Sequence, residues 1–250
     1  MPMDSKERFT AYAGDYTKYR PGYPSEAIDC LLEACGLIPG MAAADIGAGT
    51  GKLAGLLLAR GLRVYAVEPN DAMRGAMEQA LAGTPGFIPV KASAEETGLP
   101  DASMSVVTAA QAFHWFDQSK FREECRRILK PGGKAALVWN RRDLSDPVMA
   151  AYEAVIQAHH DDMPNKTMRD IEEAAYASFF AHYDIYRLAS YQSFDYEGLV
   201  GRALSSSYAP RPGHPRHEAL LAALLELFEQ RKRDHRVTFV YQTEVVVGAL

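Results

Sequence analysis

The sequence predicts an α/β fold, a doubly wound and mostly parallel sheet with helices on both faces. Three observations predict it. Between residues 41 and 139, short apolar runs alternate with segments whose apolar residues recur at helical spacing. Elements that alternate in this way pack as a parallel sheet covered by its own crossover helices. The first apolar run ends in the turn Asp45-Ile46-Gly47-Ala48-Gly49-Thr50-Gly51, with glycine at every second position. The next run, Val64-Tyr65-Ala66-Val67, closes on an acid, Glu68.

Taken in order, the elements read as follows. Ser25 is placed to cap a helix that carries Ile28, Leu31, Leu32 and Cys35 on one face and ends at Gly36. The first strand is Met41 to Ile46, and a helix follows from Lys52 to Ala59, closed by Gly61. The second strand is Arg63 to Val67, with a helix from Asp71 to Leu81. Gly86 to Val90 is the third strand and Met104 to Ala109 the fourth. A helix covers Ser119 to Leu129, Pro131-Gly132-Gly133 turns the chain, and Lys134 to Trp139 is the fifth strand.

After residue 140 the rhythm changes. Asp146-Pro147 starts a helix with Met149, Tyr152, Val155 and Ile156 on one face, and a further helix spans Met168 to Ala181. Asp184 to Phe194 alternates like a strand, His217 to Arg231 carries a leucine face, and residues 236 to 247 are a last strand rich in Val and Thr. No linker separates independent domains, so residues 1–250 are expected to form one domain with 1–140 as its binding core. The helical stretches 141–182 and 197–231 read either as a cap over the site or as ordinary packing helices, and 183–194 and 236–247 as late strands.

The glycine turn carries the chemistry. Glycine permits backbone angles closed to other residues and lets a ligand approach the main chain. A carboxylate at the tip of the next strand is placed to take two ribose hydroxyls. The spacing D-x-G-x-G-x-G differs from the dinucleotide fingerprint G-x-G-x-x-G. Asp45 would repel a pyrophosphate, but it could orient a zwitterionic amino-acid tail or a cationic group. The pattern resembles motif I of the class I S-adenosylmethionine-dependent methyltransferases. Two more stretches carry the same resemblance: Val64 to Asn70, and Leu129-Lys130-Pro131-Gly132-Gly133 before the fifth strand. Ser93-Ala94-Glu95, with Leu99-Pro100-Asp101, is similar to the family's adenine-contacting stretch. Ser93 and Ser105 stand where that family usually has acids. The run His114-Trp115-Phe116-Asp117 is similar to that of methyltransferases of the type 11 group, which includes the trans-aconitate enzymes.

The resemblance implies a seven-stranded, Rossmann-like sheet whose last strand is antiparallel. It implies S-adenosylmethionine as cofactor and S-adenosylhomocysteine as product. On the matching positions it puts Asp45, Gly47, Ala48, Gly49, Gly51, Glu68, Pro69, Ala94, Glu95, Gln111 and Phe113 on the cofactor. It has Tyr12, Tyr19 and Arg20 close over the methionine end, against a plain reading of that segment as a tyrosine-rich flap packed on the core.

Methyl transfer from a sulfonium needs the acceptor held in line and water excluded. His114 reads as a base or acceptor-orienting donor, or else as a packing piece of the cofactor wall. Trp115 reads as an acceptor contact. Arg141 could fork to an acceptor carboxylate or phosphate, or pair with Asp143 or Asp146. The expected reaction is methylation of a small molecule, at a carboxylate or hydroxyl oxygen. The alternatives are carbon or nitrogen methylation of a lipid or quinone-like ring, and a cofactor-binding regulatory module without catalysis.

Composition bounds the rest. The chain has 250 residues, 48 % hydrophobic and 24 % charged, enough to build a core. A net charge of −5 disfavours nucleic acid as a partner. No apolar run has membrane-spanning length, and the start lacks an apolar signal core. Cys30, Cys35 and Cys125 have no zinc spacing, so no metal is expected and the thiols read as reduced and cytoplasmic. A monomer or a homodimer is expected.

Overall fold

The computed structural model describes residues 19–160, 173–206 and 209–250. The first helix, α1, is Ser25–Cys35 and ends with Gly36 in the left-handed conformation. Pro24, not Ser25, occupies the cap position, and no side chain caps the helix. Ser25 is its first residue, and its Oγ instead accepts from the Arg60 guanidinium at 2.6 Å.

Two strand–helix units follow, β1 (Ala42–Ile46) with α2 (Lys52–Ala59) and β2 (Arg63–Val67) with α3 (Asp71–Ala80), and then β3 (Phe87–Val90) leads to β4 (Met104–Ala110) without a helix between them. A short 3₁₀ turn, Phe113–Trp115, precedes α4 (Gln118–Ile128). The chain continues through β5 (Leu129–Arg142), α5 (Pro147–His159), α6 (Glu173–Phe179), β6 (His182–Phe194), α7 (Tyr196–Leu204), α8 (His217–Arg231) and β7 (Val237–Ala249). Residues 168–172 of the expected sixth helix lie outside the described residues.

The sheet has seven strands in the order β3-β2-β1-β4-β5-β7-β6. β1 to β5 are parallel, and β7 inserts antiparallel between β5 and β6. This is the Rossmann-like arrangement that the resemblance implies. β1 has β2 on one side and β4 on the other, so the strand order reverses at β1. In open α/β sheets that switch point opens a crevice outside the carboxyl ends of the strands.

β5 is longer than the apolar run suggests at both ends. Leu129 already pairs with Met104, and a register shift in the ladder absorbs the Pro-Gly-Gly stretch. At the other end β7 pairs with β5 as far as Arg142↔Tyr241. Polar residues can continue this strand because distant partners satisfy them. Asn140 Nδ2 donates to Gly22 O at 2.8 Å, and its Oδ1 accepts from Thr243 at 2.7 Å.

Both faces of the sheet are packed. On one, Phe113, Phe121, Phe179 and Trp139 form an aromatic cluster with α4 and α6. On the other, Leu53, Leu57 and Ile28 pack against β1, β2 and β4. The ends of β6 and β7 project beyond the carboxyl end of β5, which stops opposite Tyr241. Around these projecting ends α5, α7 and α8 gather a third core, including Tyr152, Leu199, Leu224 and Phe239. Among the described residues no helix is long and apolar enough to cross a membrane.

Candidate functional site

The site grows from the turn after β1, where three glycines at positive φ serve three different purposes. Gly47 (φ 67°) lies so close to the β4 loop that a Cβ would stand 2.7 Å from Ala112 Cβ. Gly51 (φ 81°) is pressed against α3, where a Cβ would stand 2.7 Å from Met77 Cγ. Gly49 (φ 58°) has nothing within 4 Å of its would-be Cβ. The backbone is therefore bare on the side where Gly49 meets open space, and this side is the wall of a cavity.

The cavity encloses about 270 Å³. Gly47 and Gly49 form its floor together with Glu68, Pro69, Asn70 and Met73, from the end of β2 and the start of α3. Ser93, Ala94 and Glu95 close one side. The segment after β4 closes the other, with Gln111, Ala112, Trp115 and Phe116.

Glu68 is held in place before any ligand arrives. Gly49 N–H donates to its Oε2 and Asn70 N–H to its Oε1, each at 2.9 Å. Burial pushes the Glu68 pKa up, against these two N–H groups and the nearby Arg74 cation. Each carboxylate oxygen keeps a second lone-pair direction for a hydroxyl donor. Asn70 also caps α3 by accepting from Met73 N–H at 3.0 Å, so one residue starts the helix and orients the carboxylate.

Gln111 follows β4 with φ 57°, a strained angle for a residue other than glycine. The strained turn places it on the cavity wall, and its Nε2 is buried without a hydrogen-bond partner. Such strain and an unmatched donor at a cavity are features of a site organised for a ligand.

Asp45 is the last residue but one of β1, beneath the turn, and does not line the cavity. It is fully buried, accepts from Thr108 Oγ1 at 2.9 Å, and leaves Oδ2 without a partner. Burial pushes its pKa up to about 7, the Thr108 hydroxyl and the Ala54 backbone N–H oppose the shift, and the Glu68 carboxylate adds to it.

Other expected contacts sit elsewhere. Ala48 N–H is committed to Val67 O at 3.0 Å, and Gly51 faces α3. Phe113 is a core residue, fully buried, with its ring 4.8 Å from Phe179 and 6.1 Å from Phe121. Its expected contact with the cofactor is therefore corrected: helical backbone at 113–115 turns its ring into the sheet. The ring of His114 packs 4.6 Å from Trp115 and 5.8 Å from Trp139, and His114 is not among the lining residues. This geometry favours the wall reading of His114 over the base.

Arg141 bonds Glu244 Oε1 at 3.1 Å and Tyr176 Oη at 2.8 Å, not the sequence neighbours Asp143 or Asp146. This geometry favours an ion pair between β5 and β7 over the acceptor clamp. Trp115 lines the rim of the cavity and is 39 % exposed. Glu95 lines it too, while its Oε1 accepts from Asp117 N–H at 3.0 Å.

Tyr12 lies outside the described residues. Tyr19 and Arg20 join the glycine turn to α7. Gly201 of α7 is where Tyr19 packs, leaving only 2.3 Å for a Cβ. Arg20 donates to Ser205 O at 3.1 Å, and Lys52 Nζ, at the start of α2, donates to Arg20 O at 2.9 Å. Lys52 and its neighbour Arg202 escaped the sequence reading. Neither belongs to a spaced motif, and only the fold brings residue 202 to residue 52.

Comparison with known proteins places the core of this chain. Residues 44–137 match the family described as a methyltransferase domain. An uncharacterized methyltransferase of Mycobacterium tuberculosis is 43% identical over 140 residues, 56% of this chain and 55% of that protein. The chain thus spans about half the length of the curated relatives it matches. A solved structure from Anaeromyxobacter dehalogenans, described as a candidate type II methyltransferase, superposes with a TM-score of 0.65 at 25% identity, covering 92% of this chain and 98% of that one. Phosphoethanolamine N-methyltransferase 2 of Haemonchus contortus, solved in complex with S-adenosyl-L-methionine, has a TM-score of 0.54 at 17% identity, covering 98% of this chain and 58% of that one. The chain has the class I methyltransferase fold, and its residues 44–137 are similar to a methyltransferase domain.

Proposed function

We propose that this chain is an S-adenosylmethionine-dependent methyltransferase that methylates an oxygen of a small molecule, a carboxylate being the acceptor the site suits best. One observation carries the cofactor reading. A carboxylate, Glu68, is locked by the Gly49 and Asn70 N–H groups in a cavity at the switch point of the sheet. The residues present fit an adenosyl group. Glu68 would hold the ribose hydroxyls, Ala94 and Glu95 would flank the base, and the bare Gly49 backbone would leave room for the nucleoside edge. Asp45, beneath the turn and off the cavity wall, would act on the ammonium of the methionine tail through the turn or through water, from its unmatched buried oxygen. Tyr19 and Arg20 would close that end.

When bound, the sulfonium supplies an activated methyl group. The chain has three tasks besides binding it. The wall formed by Gln111, Ala112 and Phe116 fixes the methyl end and keeps water away. The layer of α5, α7 and α8 packs around the ends of β6 and β7 that project beyond β5, and on our reading the acceptor would be enclosed between this layer and the cavity. Thirdly, the acceptor oxygen must lie in line with the methyl carbon. A carboxylate attacks without losing a proton, whereas a hydroxyl needs a base. With the His114 ring packed on two tryptophans, no histidine lines the cavity among the described residues, and this supports the carboxylate.

The test is methyl transfer to a panel of small acids, phenols and amines, followed by mass spectrometry. The expected result is a gain of one methyl by acids, with His114→Gln retaining turnover within about threefold. Loss of a catalytic base would cost about 10²–10⁴-fold. Transfer confined to amines or ring carbons, or a His114→Gln loss of that size, would contradict the oxygen reading.

A further inference from the structure

Arg202 lies in the last turn of α7, far from any motif in the sequence, and is 3 % exposed. A buried guanidinium is costly unless paired with an acid. Arg202 has no such pair among the described residues. Its Nε donates to Tyr241 Oη at 3.3 Å, and its Nη1 is buried with no hydrogen-bond partner. The other groups that act on it electrostatically are Tyr152 and a like charge, Arg142. Arg142 is itself bound to Glu153 and stacked on the Tyr152 ring. One turn on, Ser206 Oγ is also buried without a partner.

Other cations converge on the same place. The Lys52 pKa is pulled down by burial and by the neighbouring Arg20 and Arg202 charges. Lys52 begins α2 directly after Gly51 and donates to Arg20 O, and Arg20 in turn donates to Ser205 O, so the end of α7 that carries Arg202 lies beside the close of the glycine turn. Close packing at Gly201, the Arg20 bond to Ser205 and the Gln192 bond to Tyr19 O hold α7 there. The fold thus holds an under-neutralised guanidinium between the cofactor turn and the helical layer. It offers planar donors, the chemistry that matches a carboxylate.

We infer that Arg202 is a specificity residue that anchors a carboxylate of the methyl acceptor, with Ser206 and Tyr241 completing the anion site beside Lys52. This rests on the methyltransferase reading and names the substrate class for the same site. The cofactor also bears a carboxylate, so the test must separate the two sources.

The full chain, saturated with S-adenosylhomocysteine, is titrated with benzoate and succinate and, in parallel, with benzamide and succinamide, while its melting temperature is followed. The carboxylates should raise it by about 2 °C or more and the amides should not. Arg202→Met should abolish the carboxylate response, keep S-adenosylhomocysteine affinity within about threefold, and leave the unloaded chain melting no lower than wild type, because a buried charge has been removed. Arg202→Lys should keep part of the response. Equal effects of acids and amides, or a wild-type response in Arg202→Met, would overturn the inference. So would a tenfold loss of S-adenosylhomocysteine affinity, which would assign Arg202 to the cofactor's own carboxylate. Binding of S-adenosylhomocysteine without any carboxylate response sinks this inference alone. No binding of it by wild type sinks the methyltransferase reading as well.

Discussion

Gly49 is the residue on which function rests with least help from stability. Its φ of 58° makes an alanine there cost about 1 kcal/mol, but the added methyl meets only open cavity. Gly49→Ala should therefore fold, melt slightly lower, and bind S-adenosylmethionine at least about tenfold more weakly by calorimetry. Unchanged affinity would show that the bare backbone is not a ligand surface. Asp45 makes a second prediction, with a definite sign. Its folded pKa of about 7 lies above the usual carboxylate value, so the folded chain prefers the protonated acid. Its contribution to stability is present at low pH and is lost as pH rises towards 7. A cofactor ammonium beside Asp45 favours the ionised form, so binding should release a proton below pH 7. Affinity should then rise by up to about tenfold per pH unit between pH 5 and 7 and level off above, and Asp45→Asn should flatten that slope. A flat wild-type profile would remove Asp45 from the ammonium. Both residues were legible in the sequence because a turn is a local structure that short-range spacing encodes. Phe113, Arg141 and Arg202 were not. Their partners, Phe179, Glu244 and Tyr241, lie far along the chain.

At the scale of elements, the glycine turn works only because α2 and α3 lie close together. Gly51 is the point of contact, with Met77 and Leu81 of the α3 end filling the space a side chain would need. Gly51→Ala should combine a strained φ with overpacking and cost about 2 kcal/mol or more, read as a lower urea midpoint with an unchanged slope. A cost below about 0.5 kcal/mol would show that the two helices yield freely. The five parallel strands and the helices between them were readable from apolar periodicity, since each repeats a pattern set by its own geometry. The long ends of β5 were not. Asn140, Arg141 and Arg142 look like loop residues until β7 supplies Thr243 and Glu244 across the ladder. Ser25 shows the same limit, since a good capping residue was taken over by Arg60 from α2's far end.

Across the whole molecule, topology decides where chemistry can occur. The order reversal at β1 opens the crevice, and Glu68, the Ser93–Glu95 stretch and the segment after β4 reach it from three separate crossings of the sheet. Our proposal puts the choice of acceptor at the end of α7, where Arg202 and Ser206 are buried. The central claim is that the cavity beside Gly49 and Glu68 holds an adenosyl sulfonium. Isothermal titration of the purified, ligand-stripped chain with S-adenosylmethionine, S-adenosylhomocysteine and NAD tests it most directly. The account predicts saturable one-to-one binding of the first two, weakened at least about tenfold by Glu68→Ala, and no heat with NAD. Absence of heat with both adenosyl compounds, or equal binding by wild type and Glu68→Ala, would contradict it.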